Sequence, residues 1–221
     1  MTDCALQRTN MVESQIRPSD VTDRRIMRAM ADLPRERFVP ASLATLAYMD
    51  ESISLYDVGH RGPARHMLSP RTLAKLIQLA QIESTDRVLD VGAGRGYGAA
   101  VLARLAWTVV ALESDNDLAA AAKLALAADK NVTVLSGALQ TTAATQGPFD
   151  VIVLEGAICE RPDGLLSQLK PGGRLVAILN EGGVGRATVW VRQGDNFGQN
   201  TAFEATITPL PGFERAPAFS F

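Results

Sequence analysis

Two cysteines and two histidines are all that 221 residues provide, and each scarcity excludes a class of chemistry. Cys4 and Cys159 form neither a C-x-x-C pair nor a bridge pattern, so a reduced pair without a disulfide framework is expected. With only His60 and His66 beside them, no ligand spacing for a metal arises. The net charge of −2 and a pI near 5.7 provide no bulk positive field for a nucleic acid. No apolar run approaches the roughly 18 residues that cross a bilayer, so no membrane association is expected. The opening stretch MTDCALQRTNM lacks the basic and apolar regions of a secretory signal, which points to a cytoplasmic protein. There is no internal repeat and no long linker. The chain therefore reads as one compact unit, with residues 1–75 a helical segment and substrate loop and residues 76–221 the core.

What is present is concentrated in RVLDVGAGRGYGAA, Arg87 to Ala100. Val88, Leu89 and Val91 read as a buried strand with Asp90 near its end. Gly92, Gly94 and Gly96 follow at alternate positions, before an apolar helix from Ala99 to Leu105. Glycines at a strand-to-helix turn permit positive φ and close approach of a ligand. The dinucleotide fingerprint G-x-G-x-x-G requires a further glycine where this chain has Tyr97, which weakens a nicotinamide reading. Roughly 20 residues on, WTVVALES reads as a second strand ending at Glu113, an acid placed to accept hydrogen bonds from ribose hydroxyls.

The remaining punctuation alternates. An Ala-rich helix (Asp117 to Ala128), a strand (Val132 to Leu135), another strand (Phe149 to Leu154) and LKPGGRLVAIL follow in turn. Such alternation predicts an α/β fold with a parallel sheet and ligands beyond the strands' carboxyl ends. Two tail strands, Ala187 to Arg192 and Phe203 to Thr208, would close one edge as an antiparallel pair joined by GDNFGQN. Ahead of the core, Met11 to Ile16 and Asp20 to Met30 read as helices, with Asp20 as an N-cap. Ser69-Pro70 opens a third helix. Trp107 and Trp190 read as core or edge packing residues.

An acidic strand end followed by G-x-G-x-G, then Glu113 and Lys170-Pro171-Gly172-Gly173, resembles class I methyltransferases that use S-adenosylmethionine. The resemblance implies a Rossmann-like, mostly parallel sheet with an antiparallel C-terminal edge. It also implies a cofactor site of Asp90, Gly92, Ala93, Gly94, Gly96, Glu113, Ser114, Gly137, Ala138 and Leu139. MVESQIRPSDV, RERFVP and AYMD, in that order before the core, narrow the likeness to protein-L-isoaspartate O-methyltransferases. That family methylates the side-chain carboxylate of L-isoaspartyl residues in damaged proteins, and its precedent favours a monomer acting on proteins or peptides. A carboxylate is already ionised at neutral pH, so positioning rather than a general base is what the reaction needs.

Three departures from the family pattern mark the chain. If Pro70 anchors the alignment, the family's G-Q-T-I-S-Q-P is ARHMLSP here. His66 then stands for threonine and Leu68 for serine, with Ser69 one place late. Glu155, in EGAICERP, replaces a neutral residue near the transfer site. Two carboxylates about 4 Å apart would repel by roughly 4 kcal/mol at an effective dielectric of 20, unless Arg65, His66 or Arg161 compensates. In SGAL, Ala138 replaces an aspartate that sits near the adenine. His66, Ser69 and Glu155 are the catalytic candidates, and residues 62–69 are expected to close over the substrate. Two alternatives stay open: the same fold methylating a small molecule or another protein nucleophile, and a non-catalytic S-adenosylmethionine-binding module.

Overall fold

The computed structural model describes residues 3–215. The chain enters through α1 (Cys4–Met11), whose first turn is capped by the Asp3 carboxylate, and continues to α2 (Arg24–Asp32). The cap of α2 is Asp23, accepting from the Arg25 N–H, and not Asp20. Asp20 instead adopts φ +62°, the left-handed geometry that ends the preceding turn. Leu33 before Pro34 is extended and stops α2, as a residue preceding proline should.

Two short strands, β1 (Ile53–Ser54) and β2 (His66–Met67), pair antiparallel and carry a long loop between them. Then come α3 (Pro70–Leu79), β3 (Arg87–Val91), α4 (Tyr97–Leu102), β4 (Thr108–Glu113), α5 (Asn116–Ala125) and β5 (Val132–Ser136). The series ends with β6 (Phe149–Ile158), α6 (Asp163–Leu166), β7 (Leu169–Leu179), β8 (Arg186–Gln193) and β9 (Asn196–Glu204).

The main sheet has the order β5-β4-β3-β6-β7-β8-β9, parallel from β5 through β7 and antiparallel at β8 and β9. This is the expected α/β architecture. Central strands β3 and β6 are apolar on both faces because both faces are covered. Val88 and Val153 join the layer formed by the N-terminal helices, α3 and α4. Leu89 and Leu154 join the opposite layer with Leu165, Leu166 and Phe213. By the same alternation Asp90 and Glu155 point into the first layer, a placement with chemical consequences.

An antiparallel tail pair exists, but its second strand is Asn196–Glu204 rather than 203–208; the turn is only Gly194-Asp195, and the rest of the polar stretch read as a turn lies in strand β9. As an outer strand β9 is mostly exposed on both faces, so it lacks apolar alternation. Trp190 is fully buried as expected, whereas Trp107 is 67% exposed just before β4 begins.

Candidate functional site

Strand β3 is where the chain switches direction across the sheet, with β4 on one side and β6 on the other. A crevice outside the carboxyl ends of these strands is where doubly wound folds bind ligands. There the turn after β3 brings Gly92 (φ +79°) and Gly94 (φ +57°) against side chains from distant segments. A Cβ on Gly92 would lie 2.6 Å from Leu210 Cδ2, and one on Gly94 2.6 Å from Leu55 Cδ1. The turn allows close approach as expected, and parts of the same chain use it.

Glu113, at the end of β4, is fully buried and paired bidentately with Arg65 at 2.6 and 2.8 Å. Its carboxylate also accepts from the backbone N–H groups of Gly94 (2.8 Å), Ser114 (2.7 Å) and Asp115 (3.0 Å), and from the Ser114 hydroxyl (3.2 Å). A carboxylate offers about four lone-pair sites, so these donors saturate it. Arg65 Nη2 further donates to the Gly92 carbonyl at 3.0 Å. Arg65 thus stands where the sequence places a ribose. Leu210 covers Gly92 and also Gly156, where an added Cβ would again lie 2.6 Å from Leu210 Cδ2.

What remains between Arg65, His66, Glu155, Thr208 and Leu210 is a cavity of about 10 Å³, room for at most one water. With Arg65 on the Glu113 carboxylate and Leu210 against Gly92, a nucleoside cofactor does not fit this arrangement, although the acid and the glycine turn that would receive it are in place. Larger clefts of about 550 and 570 Å³ open between α3 and the β8–β9 hairpin and share no residue with the glycine turn. Ser69 lines the second of these, and its hydroxyl accepts from the Thr72 N–H as the N-cap of α3. It therefore lies in a different cleft from His66 and Glu155.

Below the turn, Asp90 and Glu155 form a buried acid pair. Two more residues of β6 than of β7 lie between the pairs Val153↔Val176 and Ala157↔Ile178, a bulge spanning Glu155. Neither Asp90 oxygen nor Glu155 Oε1 has a hydrogen-bond partner. Burial, with the neighbouring Glu113 charge, pushes the Asp90 carboxyl up to about 7. Burial and the facing Asp90 carboxyl hold Glu155 well above the usual carboxylate range. The Arg35 and Arg65 charges act in the opposite direction on Glu155, and burial with Asp90 outweighs them. Arg161 compensates nothing at this site: it pairs with Asp163 at 2.9 Å. His66 is held below the ordinary histidine value by burial and by Arg65, so its ring is neutral, with Nδ1 3.3 Å from the Thr208 hydroxyl.

The acid pair implies a pH dependence of stability. The folded state keeps a proton on Asp90 that the unfolded chain, ionising near 4, releases. Stability is therefore full below about pH 4 on this account and falls as pH rises through about 7. In urea unfolding between about pH 5 and about pH 8, Asp90→Asn is expected to remove a decline on the order of 3 kcal/mol. An identical decline in the variant would contradict the assignment.

The structure gathers Gly92, Gly94, Glu113 and Ser114 into one hydrogen-bonded group. Ala93 joins them by its N–H to the Leu112 carbonyl, and Gly96 begins α4 at φ +94°. Gly137 donates to the Glu113 carbonyl, Ala138 is exposed, and Leu139 is buried in the second apolar layer. The sequence reading missed three participants. Arg65 entered only as a cation for Glu155, and the substitution of arginine for a neutral family residue was the available signal. Leu210 carried no signal. Arg35, fully buried, donates to the carbonyls of Ala47 (2.7 Å) and Leu68 (2.6 Å) and stacks over Tyr97 at 4.6 Å. RERFVP marked a segment without indicating that role.

Comparison with known proteins follows the same lines. The family model for protein-L-isoaspartate(D-aspartate) O-methyltransferase matches residues 6–213. The Koribacter versatilis protein-L-isoaspartate O-methyltransferase is 37% identical over 179 residues, covering 80% of this chain and 78% of its own length. A solved protein-L-isoaspartate O-methyltransferase superposes with a TM-score of 0.80 at 25% identity, over 93% of this chain and 66% of that one. A Plasmodium falciparum protein solved in complex with S-adenosyl-L-homocysteine shares the fold at a TM-score of 0.76 and 18% identity, over 92% of this chain and 97% of that one. With the family model covering nearly its whole length, the chain belongs to the protein-L-isoaspartate(D-aspartate) O-methyltransferase family.

Proposed function

We propose that this chain is an S-adenosylmethionine-dependent methyltransferase of isoaspartyl carboxyl groups in proteins and peptides, acting as a cytoplasmic monomer. The observation that carries the reading is the strand, glycine turn and helix at β3–α4 beside Glu113, in a chain matched by the family model over residues 6–213. The Plasmodium falciparum protein of the same fold, with its bound S-adenosyl-L-homocysteine, supports the choice of cofactor.

On this reading the substrate carboxylate is the nucleophile and needs no base. The usual serine and threonine hydroxyls are absent, and the chain supplies other donors. Glu155, which lines the cavity with Arg65 and His66 and is held above the usual carboxylate range by burial, donates to the incoming carboxylate as the protonated acid. Its proton replaces the hydroxyl lost at Leu68, because a neutral acid is both donor and uncharged. Neutral His66 orients the same carboxylate from β2. Ser69 stays a helix cap. No helix among the described residues is long and apolar enough to cross a membrane.

The test is transfer of labelled methyl from S-adenosylmethionine to an isoaspartyl peptide, with its aspartyl twin as control, by the wild type and by Arg65→Gln. Selective labelling of the isoaspartyl peptide is expected, faster in the variant. Equal labelling of both peptides, or of neither while cofactor is bound, would sink the substrate assignment.

A further inference from the structure

We propose that Arg65 and Leu210 form a latch that keeps the nucleoside cofactor out of its seat until both withdraw. This rests on the methyltransferase reading above and adds a gate to it. The two residues come from segments far apart in the chain, and each takes a different part of the seat. Arg65 takes the acid, pairing bidentately with Glu113 and bonding the Gly92 carbonyl, so Glu113 has no lone pair left for a ribose. Leu210 takes the floor, seated on Gly92 and Gly156. A seat filled at both points is closed by the chain itself.

Both halves are tied down by a small number of hydrogen bonds outside the strand pairing of the main sheet. Arg65 lies next to β2, and its carbonyl accepts from the Leu55 N–H at 2.9 Å. Arg95, within the glycine turn, donates to the Leu55 carbonyl at 2.9 Å, and Tyr56 donates to the Asp115 carboxylate at 2.7 Å. These contacts hold the segment before Arg65 across the ends of β3 and β4. Leu210 is held by its own N–H to the Ala157 carbonyl (2.9 Å), by Ala157 N–H to Thr208 (3.1 Å) and by Cys159 N–H to Phe213 (3.0 Å). The tail is a short parallel attachment beside β6 rather than a member of the main sheet.

Apparent affinity for a ligand falls in proportion to the fraction of protein in the competent state. A closed state favoured about a hundredfold would raise the apparent Kd by about a hundredfold. Shortening either half of the latch should return part of that factor. Arg65→Gln removes the cation and installs the residue the family carries at that position. Leu210→Ala empties the floor and leaves the ion pair intact, so it stands as the second variant if the first folds poorly.

Calorimetric titration of S-adenosylmethionine into the wild type, Arg65→Gln and Leu210→Ala tests the latch, with folding of each protein checked by thermal unfolding. The expected result is at least tenfold tighter binding by a folded variant, about 1.4 kcal/mol. Binding of equal strength by all three proteins would overturn the latch and leave the methyltransferase reading standing. No binding by any folded protein would overturn that reading, and the latch with it.

Discussion

Replacing Glu113 with alanine is expected to destabilise the fold by about 3–5 kcal/mol, the range for removing one partner of a buried ion pair. The large effect comes from what the substitution leaves behind. Arg65 would keep its charge at 4% exposure without a counter-ion. The N–H groups of Gly94, Ser114 and Asp115 would lose the acceptor that organises the turn after β4. For a chain of this size each kcal/mol moves Tm by roughly 2–4 °C, so thermal unfolding should fall by about 6–20 °C. Glu113→Ala/Arg65→Met, which removes both charges, should recover much of the loss. A Glu113→Ala protein melting within a degree or two of wild type would show that the pair is not a buried structural element.

Arg35→Ala carries the second large effect, also about 3–5 kcal/mol. Arg35 has no carboxylate bonded to it among the described residues; its guanidinium donates to two carbonyls, Ala47 and Leu68, and lies over the face of Tyr97, with Nη1 left unpartnered there. Truncation would open a cavity beside Tyr97 and leave both carbonyls buried without donors, each worth about 1–3 kcal/mol. Arg35→Met fills most of that volume while leaving the carbonyls unpaired, so it should cost roughly half as much. Because Leu68 ends the segment that carries Arg65 and His66, hydrogen exchange in residues 64–69 should rise in both variants. A urea midpoint unchanged in Arg35→Ala would contradict this role.

The two predictions fall on residues of unequal legibility. Glu113 could be read directly, because an acid at the end of the second core strand follows the glycine turn at a characteristic interval. Strands β3, β4 and β7 were legible for a related reason: burial on both faces makes their apolar runs unmistakable. Arg65 could not be assigned to Glu113, since the two are 48 residues apart and the loop between β1 and β2 has no periodicity to fix its path. Leu210 was hidden further, on a tail segment whose seat on Gly92 depends on tertiary packing alone. Glu155 was legible as an acid after the fourth core strand, and its burial against Asp90 was not. Sequence gives a carboxyl its ordinary ionisation, while burial opposite Asp90 pushes it well above that range.

The two oxygens of Glu113 are the atoms that Arg65 holds and a cofactor ribose would need. A crystal structure of the Arg65→Gln protein with S-adenosyl-L-homocysteine, beside the ligand-free wild type, addresses those atoms directly. The prediction is an Arg65–Glu113 pair in the wild type, and in the variant a ribose on Glu113 with Leu210 moved off Gly92. A ligand bound elsewhere while Leu210 stays seated, or a wild type in which Arg65 points away from Glu113, would contradict it.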